Sequence, residues 1–193
     1  MRPFRLFLGL LLMSTVIFAQ QPFEGLLIYE QELAGVKSEL EVWVGKREAH
    51  LIRKEANELH YWLNEQGELK AWVAGKTRIS KTRISQADDV VVKVGKQKRL
   101  MSGYEATSFE FVDANGAKLE GWYTPAVDFE HNRFIFPIQG HWWGKLPGKG
   151  LLLEWQYTDA KGHTQLKGKL LDVQAGRRDA NVFELPAGAR MAD

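Results

Sequence analysis

Apolar and polar positions alternate with a period of two along most of the chain, which predicts strands rather than helices. From Glu39 to Val44 the order Glu, Leu, Glu, Val, Trp, Val sets Leu40, Val42 and Val44 on one face. Leu59, Tyr61 and Leu63 repeat the pattern, as do Leu69, Ala71 and Val73. Between these two runs, Asn64-Glu65-Gln66-Gly67-Glu68 offers a glycine for a left-handed turn position, and a five-residue loop there brings Leu63 opposite Leu69. Asn115-Gly116 predicts a two-residue type I′ turn. Its register sets Asp113 opposite Lys118, Phe111 opposite Glu120 and Phe109 opposite Trp122. A third hairpin is expected from Gly150 to Thr158 and from His163 to Gln174, with Leu151, Leu153, Trp155 and Tyr157 on one face. Further strands are expected at Phe23 to Leu33, His50 to Lys54 and Val90 to Val94.

Helical signal is thin: a turn or two at Ala126 to Phe134, and another at Gln86 to Asp89. Lys76-Thr77-Arg78-Ile79-Ser80 recurs at once as Lys81-Thr82-Arg83-Ile84-Ser85. A period of five matches no solenoid, and this basic, β-capable stretch reads as an edge strand or an exposed loop. Pro137 to Gly150 is a loop rich in Gly, Pro and Trp before the last hairpin, and no domain boundary is visible. The fold class is mainly β with minor α.

Arg2 and Arg5 form a short basic region, an apolar run follows from Leu6 to Ile17, and Ala19 supplies the small residue a signal peptidase needs. Residues 1–19 therefore read as a signal peptide, with 20–193 as one exported domain. A membrane span needs ~20 apolar residues, and Gln20, Gln21, Pro22 and Glu24 interrupt too early. Loss of Arg2 and Arg5 from 26 basic residues balances the 24 acidic ones. A neutral domain lacks the basic face that nucleic acid demands. With no cysteine, disulfides and thiolate metal sites are ruled out, so burial and backbone pairing must hold the fold. Seven tryptophans, ten phenylalanines and five tyrosines suit that task.

Motifs for chemistry are missing. His50, His60, His131, His141 and His163 include no pair at helical zinc spacing. Glu58 and His60 share a strand face and could share a metal or a proton; two solvated side chains beside Trp62 is the simpler account and is preferred. No serine sits in a Gly-x-Ser-x-Gly elbow, and Gly144-Lys145-Leu146-Pro147-Gly148 lacks the spacing of a phosphate loop. The chain reads as a non-enzyme without cofactor or metal.

The tryptophans say more. Trp43 alternates with Glu39 and Glu41, Trp62 with Glu58 and His60, and Trp72 with Lys70, each on the face opposite its aliphatic neighbours. A sheet covered on both faces has use for such indoles, whereas one with a wet face does not. Two readings stay open. One is an apolar cavity for an acyl chain or lipid, lined by Trp43, Trp62 and Trp72, with Phe109, Phe111 and Trp122 as further candidates. The other is a second small core beneath a helix or the Trp142-Trp143 loop.

Four motifs occur in order along the chain. They are Phe23-Glu24-Gly25, Gly103-Tyr104-Glu105-Ala106, Gly121-Trp122-Tyr123-Thr124, and a close at Asp179-Ala180-Asn181-Val182-Phe183-Glu184-Leu185-Pro186-Ala187-Gly188. This set resembles the exported bacterial family called domain of unknown function 4412. Leu146-Pro147-Gly148 before an aliphatic strand is similar to part of the signature of the GLPGLI envelope proteins, although Lys149 and Gly150 interrupt it. Such families look like distant relatives of the periplasmic lipoprotein carriers. That resemblance implies a curved antiparallel sheet or incomplete barrel, with short helix or loop cover and an apolar cavity between. It supplies no catalytic residues. The expectation is a periplasmic, non-enzymatic binding protein for an apolar ligand, lipid or lipidated partner, with release outside the cell left open. The alternative is an envelope protein–protein interaction module with a fully packed aromatic core and an edge strand or basic repeat for its partner.

Overall fold

The computed structural model describes residues 22–83, 92–129, 150–177 and 179–192. The chain forms β1 (Gly25–Leu33), β2 (Val36–Val44), β3 (Glu48–Lys54), β4 (Leu59–Asn64), β5 (Glu68–Val73) and β6 (Arg78–Arg83) in succession. After them come β7 (Lys93–Met101), β8 (Tyr104–Val112), β9 (Lys118–Thr124), β10 (Leu151–Thr158) and β11 (Thr164–Ala175). A single-turn 3₁₀ helix at Ala180–Phe183 and the two-residue β12 (Arg190–Met191) end the described chain. All twelve described strands belong to one sheet, in the order β12-β6-β5-β4-β3-β2-β1-β11-β10-β9-β8-β7. Strands β1 to β6 are one antiparallel meander and β7 to β11 a second. The pairing of β1 with β11, from Gly25–Ala175 to Leu33–Leu166, joins them. The outermost strands do not pair with each other, so the sheet is open rather than a closed barrel.

Period-two alternation sorts the side chains. Leu27 and Tyr29 of β1, Leu40 and Val42 of β2, Leu51 of β3 and Leu63 of β4 share one buried cluster with Phe109, Leu153 and Trp155 from the second meander. This side of the sheet is its inner face. Burying one such aliphatic side chain contributes ~1.5–3 kcal/mol, so the inner face dominates stability. Leu63 lies opposite Leu69, as the five-residue loop requires. In that loop Gly67 takes φ 74°, and the Asn64 side chain accepts from the Gln66 and Glu68 amides at 3.1 and 2.9 Å. The third hairpin also forms as expected, with Thr158 opposite Thr164.

Three expectations are corrected. The Asn115-Gly116 hairpin pairs Val112 with Lys118, Phe111 with Leu119, Phe109 with Gly121 and Ser108 with Trp122, one place away from the two-residue register. The Asp113 amide donates to the Ala117 carbonyl at 2.9 Å, and the Asp113 carboxylate accepts from the Asn115 and Ala117 amides. Ala114-Asn115-Gly116 is therefore a three-residue loop with Gly116 at φ 87°. A local carboxylate cap outweighed the type I′ preference of Asn-Gly. Phe109 and Trp122 consequently lie on opposite faces. Second, Ala126 to Phe129 is turn and coil, not helix; the rest of that expected helix, Gln86 to Asp89, the Trp142-Trp143 loop and residues 1–19 lie outside the described residues. Third, the strand expected at Val90 to Val94 begins at Lys93 and runs on to Met101. An edge strand with exposed side chains needs no apolar alternation, so its polar sequence hid it. The first copy of the repeated pentapeptide enters β6, which buries Ile79 and pairs in parallel with β12.

Trp155 is accommodated by two glycines. It lies between Gly168 on β11 and Gly121 on β9. A Cβ on Gly168 would sit 1.9 Å from Trp155 Cζ2, and a Cβ on Gly121 would sit 2.2 Å from the Glu154 carbonyl oxygen. Gly168→Ala is expected to lower stability by ~1–3 kcal/mol through overpacking, read from the urea midpoint. Trp155→Phe in the same chain should recover part of that loss, because the two positions share one volume.

Candidate functional site

The six aromatic candidates do not form one set. Phe109 and Phe111 are buried on the inner face. Trp43, Trp62 and Trp72 lie on the opposite, outer face, because β2, β4 and β5 turn their aliphatic positions inward. Trp122 is also outward, beside Glu120 on β9.

Each outward indole already has a partner from the protein. Trp43 packs with Leu26 and Ile52, with Val182 and Phe183 of the 3₁₀ helix against them, and its Nε1–H donates to Glu41 at 3.3 Å. Trp62 Nε1–H donates to Glu48 at 2.8 Å, and Lys70 Nζ lies 4.2 Å from the ring centroid. The Trp122 ring carries the Arg99 guanidinium at 4.1 Å, and Arg99 is ion-paired with Glu154 at 2.6 Å. Trp72 stacks on His60, with centroids 5.1 Å apart and planes 8° from parallel. A trough of about 410 Å³ also opens on the outer face, across the second meander and on to β1. Trp122 lines it, but so do Glu120, Glu154, Lys167 and Lys169, and it is a polar feature.

Beside Trp72 lies a chain of titratable groups. His50 Nδ1–H donates to the Val182 carbonyl, which leaves Nε2 as an acceptor. His60 Nδ1–H donates to that nitrogen at 3.0 Å, and His60 Nε2 is 2.9 Å from a Glu58 carboxylate oxygen. The run Glu58–His60–His50–Val182 thus ties the C-terminal segment to the outer face. The same segment is held further on by Arg190 N–H to the Thr77 carbonyl and Ala192 N–H to the Ile79 carbonyl, at 2.8 and 2.7 Å. Burial holds the His50 pKa down to about 4, below its ordinary 6.5; the Val182 carbonyl opposes this, His60 adds to it and Glu41 opposes it. Among the described residues no group of three or more His, Cys, Asp or Glu side chains is arranged to hold a metal ion. Glu58 and His60 were visible as neighbours on one strand face, but the preferred account of two solvated side chains beside Trp62 is corrected: they lie 2.9 Å apart and His60 stacks on Trp72. His50 was not visible as their third member, because its contact with Val182 joins residues 132 positions apart.

No family model and no curated protein matches this chain. Among solved structures, an uncharacterized conserved protein from Thermus thermophilus superposes with a TM-score of 0.57 at 11% identity, covering 90% of this chain and 91% of its own. PNGF-II superposes with a TM-score of 0.57 at 13% identity, over 87% of this chain but 31% of PNGF-II, so the chain spans about a third of that protein's length. A putative outer membrane lipoprotein-sorting protein domain from Vibrio parahaemolyticus also aligns, at 9% identity over 82% of this chain and 87% of that domain. Its TM-score of 0.34 is too low to establish a common fold. The first two likenesses establish a shared fold and nothing of activity. The likeness to the 4412 family stays with its sequence motifs. Among the described residues no helix is long and apolar enough to cross a membrane.

The histidine chain makes stability depend on pH. The folded pKa of His50 lies below the unfolded one, so the unfolded chain binds more protons between pH 6.5 and about 4. The contribution is complete above pH 6.5 and lost as pH falls toward 4, where a proton on Nε2 would face the His60 N–H. The loss should reach roughly 3 kcal/mol. His50→Asn should flatten that window in urea unfolding. A wild type and variant with the same pH slope would contradict the assignment.

Proposed function

We propose that the protein is a non-enzymatic binding protein of the cell envelope that takes an apolar ligand, a lipid or a lipidated partner against its inner face. One observation carries this reading. A continuous apolar face spans both meanders of a sheet that never closes, so no closed ring of strands seals the ends of that core. The outer face serves a different end around Trp43 and His50, where it seats the C-terminal segment. The signal peptide read at residues 1–19 supports export, and the motifs resembling the 4412 family are consistent with it.

A second reading has its own observation. Strand β7 lies at the end of the sheet, with Val94 49% and Leu100 79% exposed. An edge of this kind can receive a strand from a partner, while Lys93, Lys96 and Lys98 guard it against indiscriminate pairing. Native mass spectrometry of protein purified from the envelope without detergent separates the two. A lipid-sized adduct that organic extraction removes is expected. Bare polypeptide mass in every preparation, together with no uptake of an apolar fluorescent probe, would leave the edge-strand module as the surviving account.

A further inference from the structure

We infer that Gln31 and Ser38 form a polar anchor on the inner face that holds the carbonyl oxygen of a ligand's ester or amide, with the ligand's hydrocarbon lying along the apolar positions beyond. The inference rests on the carrier reading above and adds the chemistry of the ligand's head. Register sets Gln31 of β1 opposite Ser38 of β2, next along the same face from the pair Tyr29–Leu40. Directly opposed residues hold their Cβ atoms about 4.5–5.5 Å apart, so the two side chains can reach one point. On the other side of β1, Gln31 is opposite Gly168, whose missing side chain leaves Trp155 as its neighbour.

Both residues are shut away, Gln31 at 3% and Ser38 at 8% exposure. Gln31 Nε2 and Ser38 Oγ nevertheless have no hydrogen-bond partner among the described residues. Native proteins rarely leave such groups bare, and an apolar residue of similar size would serve packing alone better. Neighbouring groups do not satisfy them: the Tyr29 hydroxyl, next on the face, donates to the Leu152 carbonyl at 3.3 Å.

The donors define the guest. An amide N–H and a hydroxyl on directly opposed residues suit an oxygen with two lone pairs, which a carbonyl provides. A carboxylate is a poorer fit. Arg53, on the same face opposite Leu40, is ion-paired with Glu55 at 2.9 Å, so a carboxylate guest would have to compete with Glu55 for that cation. An uncharged acyl ester or amide is the class that meets the donors without that conflict.

The test compares methyl laurate with tridecane, an ester and a hydrocarbon of the same carbon number, as competitors that displace a fluorescent apolar probe from the full domain. Wild type should prefer the ester by about tenfold, the effect of one to two hydrogen bonds. Gln31→Leu and Ser38→Ala should each reduce that preference toward parity while leaving tridecane affinity unchanged. Gln31→Leu should also raise the melting temperature of the empty protein, since it removes a bare buried donor. A wild type that binds both competitors equally, or variants that keep the preference, would overturn the anchor and leave the carrier reading standing. A wild type that binds neither would overturn both.

Discussion

The pairing of β1 with β11 is the interaction on which the rest of the sheet depends. Each meander is built from neighbours in sequence, but Gly25 must find Ala175 across most of the chain before the two halves share a face. Neither half alone could hide its aliphatic side, because a single sheet has no second layer behind it. The cost of closing so long a loop rises only logarithmically with its length, so stability tolerates the pairing, although non-local contacts of this kind slow folding. Once it forms, the inner face runs unbroken from β5 to β8, and Tyr29 meets Trp155 edge to face at 5.1 Å. The same pairing aims the chain's end. Gly176 N–H donates to the Glu24 carbonyl at 2.8 Å, and the chain beyond turns back to the outer face, where Val182 and Phe183 meet Trp43.

Much of this was legible in the sequence wherever a strand has one buried side. Leu40, Val42 and Val44 announce their face by alternation alone, and the Leu63–Leu69 hairpin followed from its loop length, whereas a register shift after Leu152 leaves Leu151, Leu152 and Leu153 all buried. Legibility failed where a local group competed with a residue-type preference: the Asp113 carboxylate shifted the Asn115-Gly116 register by one place and so moved Trp122 away from Phe109. It failed again where tertiary contact makes the site. Nothing near His50 in sequence points to Val182, and nothing in the run from Glu30 to Leu33 marks Gln31 as buried without a partner. The aromatic candidates were found because indoles opposite aliphatic positions are conspicuous. Their division between two faces was not, because face assignment across β8 and β9 hinged on a one-residue register.

The two faces treat buried polar groups differently, and that contrast separates structure from function. On the outer face the protein satisfies what it buries. Trp62 has Glu48, Trp43 has Glu41, and His50 is bracketed by Val182 and His60. The His50 contact binds the C-terminal segment down, and the other two leave the indoles occupied. On the inner face, Gln31 and Ser38 oppose each other unmet beside the aliphatic and aromatic cluster. A chain able to complete a four-membered polar run beneath its own terminus is not short of ways to pair a glutamine. The same fold that closes one face with its own residues therefore leaves, on the other, two donors that the described residues do not meet and that a guest's carbonyl can.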